Sequence, residues 1–436
     1  MNCRRQRLLA GTVCLLVWSI SSIGPAAERS FEEALRGLVT SDPSLSSQSA
    51  TLDAERVRLR PLAYHILPTV SFSADHTLRS VPGTESSPPA ATSFGIQMRA
   101  SLFRFGADVA QEDSAEFGIL KQEAKLKSLQ LKAEADAAAS LIAAVAATMD
   151  LAIIRKLHAT SEELLRVAKK QYQKGSLASQ DVLKIEVDLG SSQTRLLEAQ
   201  ATVEKTEGMI APYLGGDSVE KQWPLRDLVL SGASPLVRPQ DLNSLEVPSE
   251  QSSPAIKAAA LEVKEQEALV VAARARQRPS VDLTAGISSQ LSNSSLSPPQ
   301  AQAGISLSVP IFDRFEGASS TQAAIHLKQA AAANLEAQSR ENVRAFNAAR
   351  IALKAALLTI QTHERLLVAA SSLYRDNLAR FERGLVSVNE LTLDQNRLLS
   401  AELAVSQSWR AVHEHLFDLC HAMGKGIKAC LNKGAG

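Results

Sequence analysis

The chain has 436 residues, and its 47 lysines and arginines almost balance its 46 aspartates and glutamates, which leaves a formal net charge of +1. Proteins that bind nucleic acids generally carry a strongly basic surface, so this balance argues against a nucleic-acid partner. The sequence also contains no phosphate-binding loop, CxxC pair or nucleophile motif, so no enzymatic activity and no cofactor are expected.

The first 27 residues have the features of a secretory signal. Three arginines at positions 4, 5 and 7 precede an apolar run over residues 8–23, and small residues follow. This order is typical of a signal peptide and its cleavage site. The apolar run is also shorter than the ~20 residues that a membrane-spanning helix needs. We therefore predict that residues 1–27 are a signal peptide and that the remaining chain is exported.

Four segments alternate between apolar and polar residues, which is the pattern of a β-strand with two different faces. In the second segment, for example, Phe94 and Ile96 share one face while Gln97 and Arg99 lie on the other. Loops rich in Ser, Pro and Gly separate the two segments of each pair and are predicted to be hairpin tips. The predicted strands cover residues ~69–79, ~92–104, ~280–291 and ~301–311.

Strands of about ten residues with one apolar and one polar face fit a transmembrane β-barrel. A half-buried sheet in a soluble protein would show the same pattern. Four strands cannot close a barrel, and open strand edges in lipid leave backbone groups unpaired. Several chains would therefore share one barrel, and two chains would give a filled barrel of about eight strands. Three chains would give about twelve strands around a watery lumen, which suits a conduit better.

Two long segments, residues 107–174 and 318–383, lack proline and are dense in Ala, Leu, Lys, Glu and Gln. A helix of this length would be roughly 100 Å long and would need a coiled-coil or bundle setting. In the second segment apolar residues from Leu353 to Phe381 alternate by three and four, which indicates a heptad seam.

Each long helix is predicted to end at a glycine. Gly175 and Gly384 can supply the left-handed backbone that helix ends favour, and a second helix then returns. The predicted helical hairpins cover residues ~106–212 and ~316–423.

The chain repeats one plan. Gly384 follows Gly175 by 209 residues, and Pro279 follows Pro68 by 211. This period exceeds the ~20–50 residues of a solenoid repeat, so it indicates a duplicated unit of two strands and a helical hairpin. The predicted organisation is a signal peptide (1–27), a first structural repeat (28–215), an equatorial linker rich in Pro, Ser and Gly (216–253), a second repeat (254–424) and a C-terminal tail (425–436).

This plan resembles the TolC family of outer-membrane efflux proteins. The resemblance rests on the order and spacing of the duplicated elements and on the segment VPIFD at residues 309–313. It rests above all on FERGLVSVNEL at residues 381–391. The resemblance covers the whole chain after the signal peptide.

The resemblance implies an α+β membrane protein that forms a homotrimer in the Gram-negative outer membrane. It implies a shared twelve-stranded β-barrel, with four strands from each chain, and a long α-helical barrel in the periplasm. It further implies docking to a periplasmic membrane-fusion adaptor and to an inner-membrane pump or ABC transporter. The chain itself would be a passive conduit for efflux or type I secretion. Its cargo is not indicated.

In that family the turns of the helical hairpins meet the adaptor. The candidate adaptor contacts are therefore Lys174, Gly175, Ser176, Leu177, Arg383, Gly384, Leu385 and Val386.

Family members also constrict the tip with acidic residues after the second turn. By position the first falls on Glu390 and the second on Leu393, a departure that leaves Asp394 beside it. Asp181 matches a polar link between the hairpins of some members, but its expected partner positions, 381 and 386, hold apolar residues. The gate candidates are Asp181, Glu390 and Asp394. Acids in a first helical turn are also favoured by the helix dipole alone.

Two other classes of protein share part of this pattern. A periplasmic adaptor has a helical hairpin, but one hairpin flanked by small β-domains. A structural coiled-coil protein of the envelope would not explain the strands.

The C-terminal region holds the only cluster of histidine and cysteine. His413 and His415 are two residues apart, so on a helix they lie on different faces and no metal site is expected. Cys420 and Cys430 can pair in an exported protein, which would clip the C-terminus, or can remain free. The sequence leaves both possibilities open.

Overall fold

The computed structural model describes residues 37–77, 91–210, 252–292 and 295–427, together with Leu35, Leu242, Leu245, residues 247–249 and Cys430. The predicted signal peptide, the tip of the first strand hairpin and most of the predicted linker and tail lie outside these residues.

The described elements follow the same order twice: a helix, two long strands and a helical hairpin. The predicted strands and hairpins are present. The helices α1 and α4 and the two-residue strand β4 are not among the predicted elements. In chain order the elements are α1 (Pro43–Ala63), β1 (Thr69–Thr77), β2 (Ala91–Phe103), α2 (Ala107–Gln173), α3 (Ser179–Ile210), α4 (Pro254–Ala275), β3 (Ser280–Ser292), β4 (Ser295–Leu296), β5 (Gln300–Ser308), α5 (Glu316–Phe381) and α6 (Val388–Ala422).

The chain forms two compact units. The sheet unit comprises residues 47–126 and 254–340, and the helical unit comprises residues 1–46, 127–253 and 341–436. Each unit therefore takes residues from both repeats.

The long strands of the sheet unit form one antiparallel sheet in the order β1-β2-β3-β5. β1 with β2 and β3 with β5 form hairpins, and the pairing of β2 with β3 joins the two repeats. β4 pairs with the end of β3 at Leu291 and Ser292. In the described part of the chain, β1 and β5 each keep one edge without a partner strand.

The sheet keeps apolar and polar side chains on opposite faces, as the alternation predicts. Phe72 pairs with Ile96 and Ile96 with Ile287, so apolar residues of neighbouring strands lie side by side. Leu283 opposite Ile305 continues this face in the second hairpin. Phe72 is 69% and Ile305 is 71% exposed. A large exposed apolar face indicates a surface that meets lipid or another protein.

The opposite face of the sheet is polar and concave. Gln97, Gly286 and Gln302 lie side by side across three strands. Gln97 and Gln302 help to line a concavity of about 540 Å³. A Cβ atom on Gly286 would lie only 3.1 Å from the carbonyl oxygen of Ile96, so the close strand packing favours glycine there.

Both strand-to-helix junctions pass through left-handed backbone. Phe105 and Gly106 have φ angles of 50° and 83°, and Arg314 and Phe315 have φ angles of 53° and 66°. Residues with a Cβ rarely adopt this conformation, so neighbouring contacts must hold it. At the second junction the carboxylate of Asp313 accepts hydrogen bonds from the N–H of Phe315 at 3.1 Å and from the first turn of α5 at 2.8 Å.

Hydrophobic cores at several levels hold the helical unit together. Leu141 and Val145 of α2 pack in a core with Phe417 of α6. A second core packs Phe346 and Leu353 of α5 against the C-terminal half of α6. The predicted heptad seam of α5 is buried in two cores, because Leu353 and Leu357 belong to the second core and Tyr374 and Phe381 belong to a third.

One described helix, α2, contains an 18-residue window that is apolar enough to cross a membrane by length and composition alone. Half of this window is buried within the fold. The core helix of a protein that does not cross a membrane passes the same test, and the buried Leu141 and Val145 give α2 that core position.

Candidate functional site

The two predicted helix turns have the same backbone geometry. Gly175 has a φ angle of 73° and Gly384 one of 75°. At each turn the glycine N–H donates to the carbonyl three residues earlier, and the next N–H donates to the carbonyl five residues earlier. These bonds measure 2.9 Å each at Gly175, and 2.8 and 3.0 Å at Gly384. This is the Schellman motif, in which glycine relieves the strain of a positive φ angle.

The candidate adaptor contacts at these turns form two groups. Leu177 and Val386 are partly buried against the core beneath the turns. Leu385 is 72% exposed. The exposed members are Lys174, Gly175, Ser176, Arg383, Gly384 and Leu385. Each turn therefore has one apolar side chain that packs on the core and an outer surface that is accessible to solvent.

One hydrophobic core lies beneath both turns. It contains Leu164 of α2, Ile185 of α3, Phe381 of α5 and Leu391 of α6. Because all four helices of the two hairpins contribute, the two turns are held in a fixed relation to each other.

Two of the gate candidates lie in the first turns of α3 and α6, where Glu390 is exposed and Asp181 is half-buried. The carboxylate of Asp181 lies 3.3 Å from Nζ of Lys184, one turn later. The N–H of Glu390 donates to the hydroxyl of Ser387 at 3.3 Å. Ser387 and Glu390 have the spacing of a capping box, which stabilises a helix start. Both acids therefore have a local structural role that is compatible with a gating role.

The first turns of α3 and α6 border one open groove. Its volume is about 540 Å³. Gln180 and Asn389, the neighbours of Asp181 and Glu390, both line it. The structure thus brings the regions of Asp181 and Glu390 to one surface of the helical unit.

The third gate candidate, Asp394, is in a different environment. It is only 2% exposed. Its Oδ2 accepts a hydrogen bond from Nδ2 of Asn377 on α5 at 2.5 Å, and its Oδ1 lies 2.9 Å from a guanidinium nitrogen of Arg397. Both carboxylate oxygens are engaged, so within this chain Asp394 ties α6 to α5 and is not displayed at the surface with Glu390.

A second buried polar contact lies beside Asp394 and was not foreseen from the sequence. Nε2 of Gln395 donates to the hydroxyl of Ser161 on α2 at 3.1 Å. Gln395 and Ser161 are both buried. Successive residues of α6 therefore hold it to α5 on one side and to α2 on the other. The polar residues were visible in the sequence, but their partners lie 17 and 234 positions away.

Burial shifts the pKa of several groups inside the helical unit, among them Asp150 and His421. It raises the pKa of Asp150, which the neighbouring Ser406 and Arg410 partly offset. It lowers the pKa of His421, against the opposing effect of Asp136 and Asp418. Both shifts favour the uncharged form, as expected for partly buried groups.

The two histidines of the C-terminal cluster have separate environments. His413 is buried, with its ring 4.2 Å from that of Trp409. His415 instead lies 3.6 Å from the carboxylate of Asp418. Within the described ranges, no group of three or more His, Cys, Asp or Glu residues is arranged to hold a metal ion.

Cys420 and Cys430 form a disulfide bond, which decides between the two possibilities that the sequence leaves open. Nearby, the carboxylate of Glu134 accepts a hydrogen bond from the N–H of Ile427 at 3.1 Å. Ile427 is buried in the core around α2. The segment after α6 is therefore fastened by a covalent bond, a hydrogen bond and an apolar contact.

A family model described as outer membrane efflux protein matches residues 35–216 and 248–425, which cover both repeats. The chain belongs to the outer membrane efflux protein family. It is therefore an outer-membrane efflux channel, and proteins of this family are channels and not enzymes. The match gives no support to a periplasmic adaptor or to a structural coiled-coil protein.

Solved structures of outer-membrane channels have the same fold. The outer-membrane channel OprN is 21% identical with a TM-score of 0.78, over 94% of this chain and 92% of that one. The CmeC channel of Campylobacter jejuni is 15% identical with a TM-score of 0.77, over 91% and 85%. VceC of Vibrio cholerae is 16% identical with a TM-score of 0.76, over 91% and 96%. A comparison with curated protein sequences found no match.

We expect Asp394→Ala to lower the free energy of unfolding of the helical unit by about 1–3 kcal/mol, because it leaves the buried amide of Asn377 without an acceptor. Glu390→Ala, a change at an exposed acid, should change it by less than about 0.5 kcal/mol. Denaturant unfolding of the purified variants, followed by circular dichroism, measures both. Equal losses from the two variants would contradict the different placement of these acids.

Proposed function

We propose that this outer-membrane channel is the passive exit duct of a tripartite efflux or type I secretion system. In this proposal three chains share a twelve-stranded barrel in the outer membrane, and their helical units extend into the periplasm. The observation that carries the proposal is the sheet, which combines an exposed apolar face, a concave polar face and, among the described residues, two outer edges without a partner strand.

The open edges support a shared barrel. Backbone groups without partners in hydrocarbon cost several kcal/mol each, so only closed barrels are stable there. The four-stranded sheet of one chain can become part of a closed barrel when the sheets of several copies pair edge to edge. Twelve strands from three copies leave a water-filled interior, whereas eight strands leave one that side chains fill.

Exposed apolar seams on the helices support the homotrimer as well. On α3, Leu183 and Val187 are exposed one turn apart, and Leu197 follows two heptads after Leu183. On α5, Ile351 and Leu358 are exposed one heptad apart. Apolar residues at heptad spacing on a helix surface are typical of coiled-coil contacts, so we assign these seams to neighbouring copies.

The proposed partners are a periplasmic membrane-fusion adaptor and an inner-membrane pump or ABC transporter. The chain contains no phosphate-binding loop, so the energy for transport would come from the inner-membrane partner. The outward face of the two glycine turns is the proposed adaptor contact, because both turns rest on one shared core.

The proposed facing of the strands can be tested at two adjacent residues of β5. Ile305→Arg should hamper barrel assembly by about 2–4 kcal/mol, because it places a charge against hydrocarbon. Ser306→Arg, the matched control on the polar face, should assemble and change conductance. Heat-modifiable trimers on gels report assembly, and planar bilayers report conductance. Normal assembly of Ile305→Arg with failure of Ser306→Arg would mean that the faces are reversed.

The proposed adaptor contact can be tested at Gly384. A β-branched residue resists the left-handed backbone by roughly 1–2 kcal/mol, so Gly384→Val should distort the turn and abolish export and adaptor binding without lowering trimer abundance. Gly190→Val is the matched control, since Gly190 lies within α3 with nothing within 4 Å of an added Cβ. Export in intact cells and co-purification with the adaptor are the measurements.

Leu385→Asp should cause the same loss of export by changing only the exposed side chain. Normal export from both variants would move the adaptor contact elsewhere.

We also propose that the resting duct is constricted near Glu390 and Asp181. Three copies of an exposed acid around one axis would form a ring that attracts cations. Glu390→Ala should therefore reduce cation selectivity and block by divalent cations in planar bilayers, and adding Asp181→Ala should reduce them further. Asp394 has a structural role in this proposal. Unchanged selectivity and block in the double variant would exclude an acidic ring at these positions.

A further inference from the structure

A group of arginines lies at the helix end of the sheet. Arg274, Arg276 and Arg278 occupy the end of α4 and the link to β3, and Arg314 lies between β5 and α5. The start of β3 pairs with the end of β5, so both segments lie at the same end. All four side chains are exposed, and none has an ion pair or hydrogen bond with any residue in the described part of the chain.

Direct contacts hold these two segments together. Nε2 of Gln277, between Arg276 and Arg278, donates to the carbonyl oxygen of Gly317 at 2.6 Å and lies 2.7 Å from the hydroxyl of Thr321. A Cβ on Gly317 would lie 2.7 Å from the Gln277 side chain, which shows how closely the two segments pack. The arginines therefore form one surface patch.

Exposed apolar residues flank this cationic patch. Ile311 is 96%, Phe312 is 76% and Phe315 is 72% exposed. The rings of Phe312 and Phe315 meet edge to face with their centroids 6.2 Å apart, on either side of Arg314.

The first repeat shows that the fold itself does not require these arginines. At the corresponding positions it has His65, Leu67 and Phe105 in place of Arg276, Arg278 and Arg314. The two repeats nevertheless form the same sequence of elements and the same left-handed junction.

The one arginine at the first junction is neutralised. Arg104 lies 3.5 Å from the carboxylate of Asp108 and 3.8 Å from that of Asp282. The unpaired cations are therefore a property of the second repeat. A group of exposed, unpaired cations can attract a negatively charged partner.

We propose that this collar, defined as Arg274, Arg276, Arg278, Arg314, Phe312 and Phe315, binds the headgroups of anionic phospholipids in the leaflet on the side of the helices. The proposal rests on the proposed lipid-facing barrel. Arginine forms paired hydrogen bonds with phosphate oxygens, and aromatic side chains favour the membrane interface. Several cations together favour anionic over zwitterionic lipid. The collar would anchor the end of the barrel at the lipid headgroups.

A fluorescent reporter in the collar can test this proposal. Phe312→Trp is reconstituted in vesicles that mix ordinary lipid with brominated phosphatidylglycerol or brominated phosphatidylcholine, and the fluorescence of the unsubstituted protein is subtracted. Bromine quenches tryptophan only at short range, so the two quenching curves give the relative affinity of the lipids at this site. We expect phosphatidylglycerol to be preferred about three- to fivefold at low salt, and the preference to weaken as salt screens the charges.

Charge variants in the reporter background identify the groups responsible. A variant that combines Arg276→Gln, Arg278→Gln and Arg314→Gln should bind the two lipids about equally, since the local positive charge is removed. The lysine versions of the same three changes should retain most of it.

Arg340→Gln, Arg344→Gln and Arg365→Gln together are the matched control, because they remove three exposed charges from α5 outside the collar. This variant should keep the full preference. Equal quenching by both lipids in the reporter protein, or an unchanged preference in the collar glutamine variant, would overturn the proposal. Absence of quenching by either lipid would instead contradict the lipid-facing barrel.

Discussion

The structure depends on one constraint, which is the hydrogen bonding of the outer edges of the sheet. The sheet presents an apolar face suited to lipid, but β1 and β5 each have an unpaired edge in the described chain. Neighbouring strands alternate in direction through β1, β2, β3 and β5, so β5 of one copy can pair antiparallel with β1 of the next. That contact would join a first repeat to a second repeat, as β2 and β3 already do within one chain. Closing the barrel with identical copies would therefore use the same kind of pairing, between a first and a second repeat, that already occurs within one chain.

Much of the fold could be predicted from the sequence, because the strands and the long hairpins have clear local patterns. The unpredicted helices α1 and α4 lack such patterns for opposite reasons. α1 buries only Leu52 in its described structure, so it has almost no apolar stripe. α4 buries a continuous run from Ala258 to Leu261, so its apolar residues do not mark one face. The duplication was the better guide, since their first residues, Pro43 and Pro254, are 211 positions apart like the prolines before the first strand of each repeat.

Those parts of the candidate site that depend only on neighbouring residues in the sequence could be predicted. A glycine at a helix end specifies its own turn, and both Gly175 and Gly384 have the positive φ angle that their position implies. The environment of an acidic side chain depends instead on residues that are distant in the sequence. Glu390 and Asp394 are one helical turn apart, yet one is exposed and the other is buried against Asn377 of the neighbouring helix. Which side of α6 meets α5 is decided by packing across the hairpin, and the sequence near the acids does not record it.

The disulfide bond has a consequence for the order in which the chain matures. Cys420 is fully buried in the core between α5 and α6, so no oxidising enzyme can reach its thiol once that core has closed. The bond must therefore form while the end of α6 is still accessible, and helix packing then encloses it. In the finished channel, attack on the sulfur of Cys420 would require local unfolding of the end of α6, whereas Cys430 is only partly buried. The covalent state of this cysteine pair would therefore report whether oxidation came before the core between α5 and α6 closed.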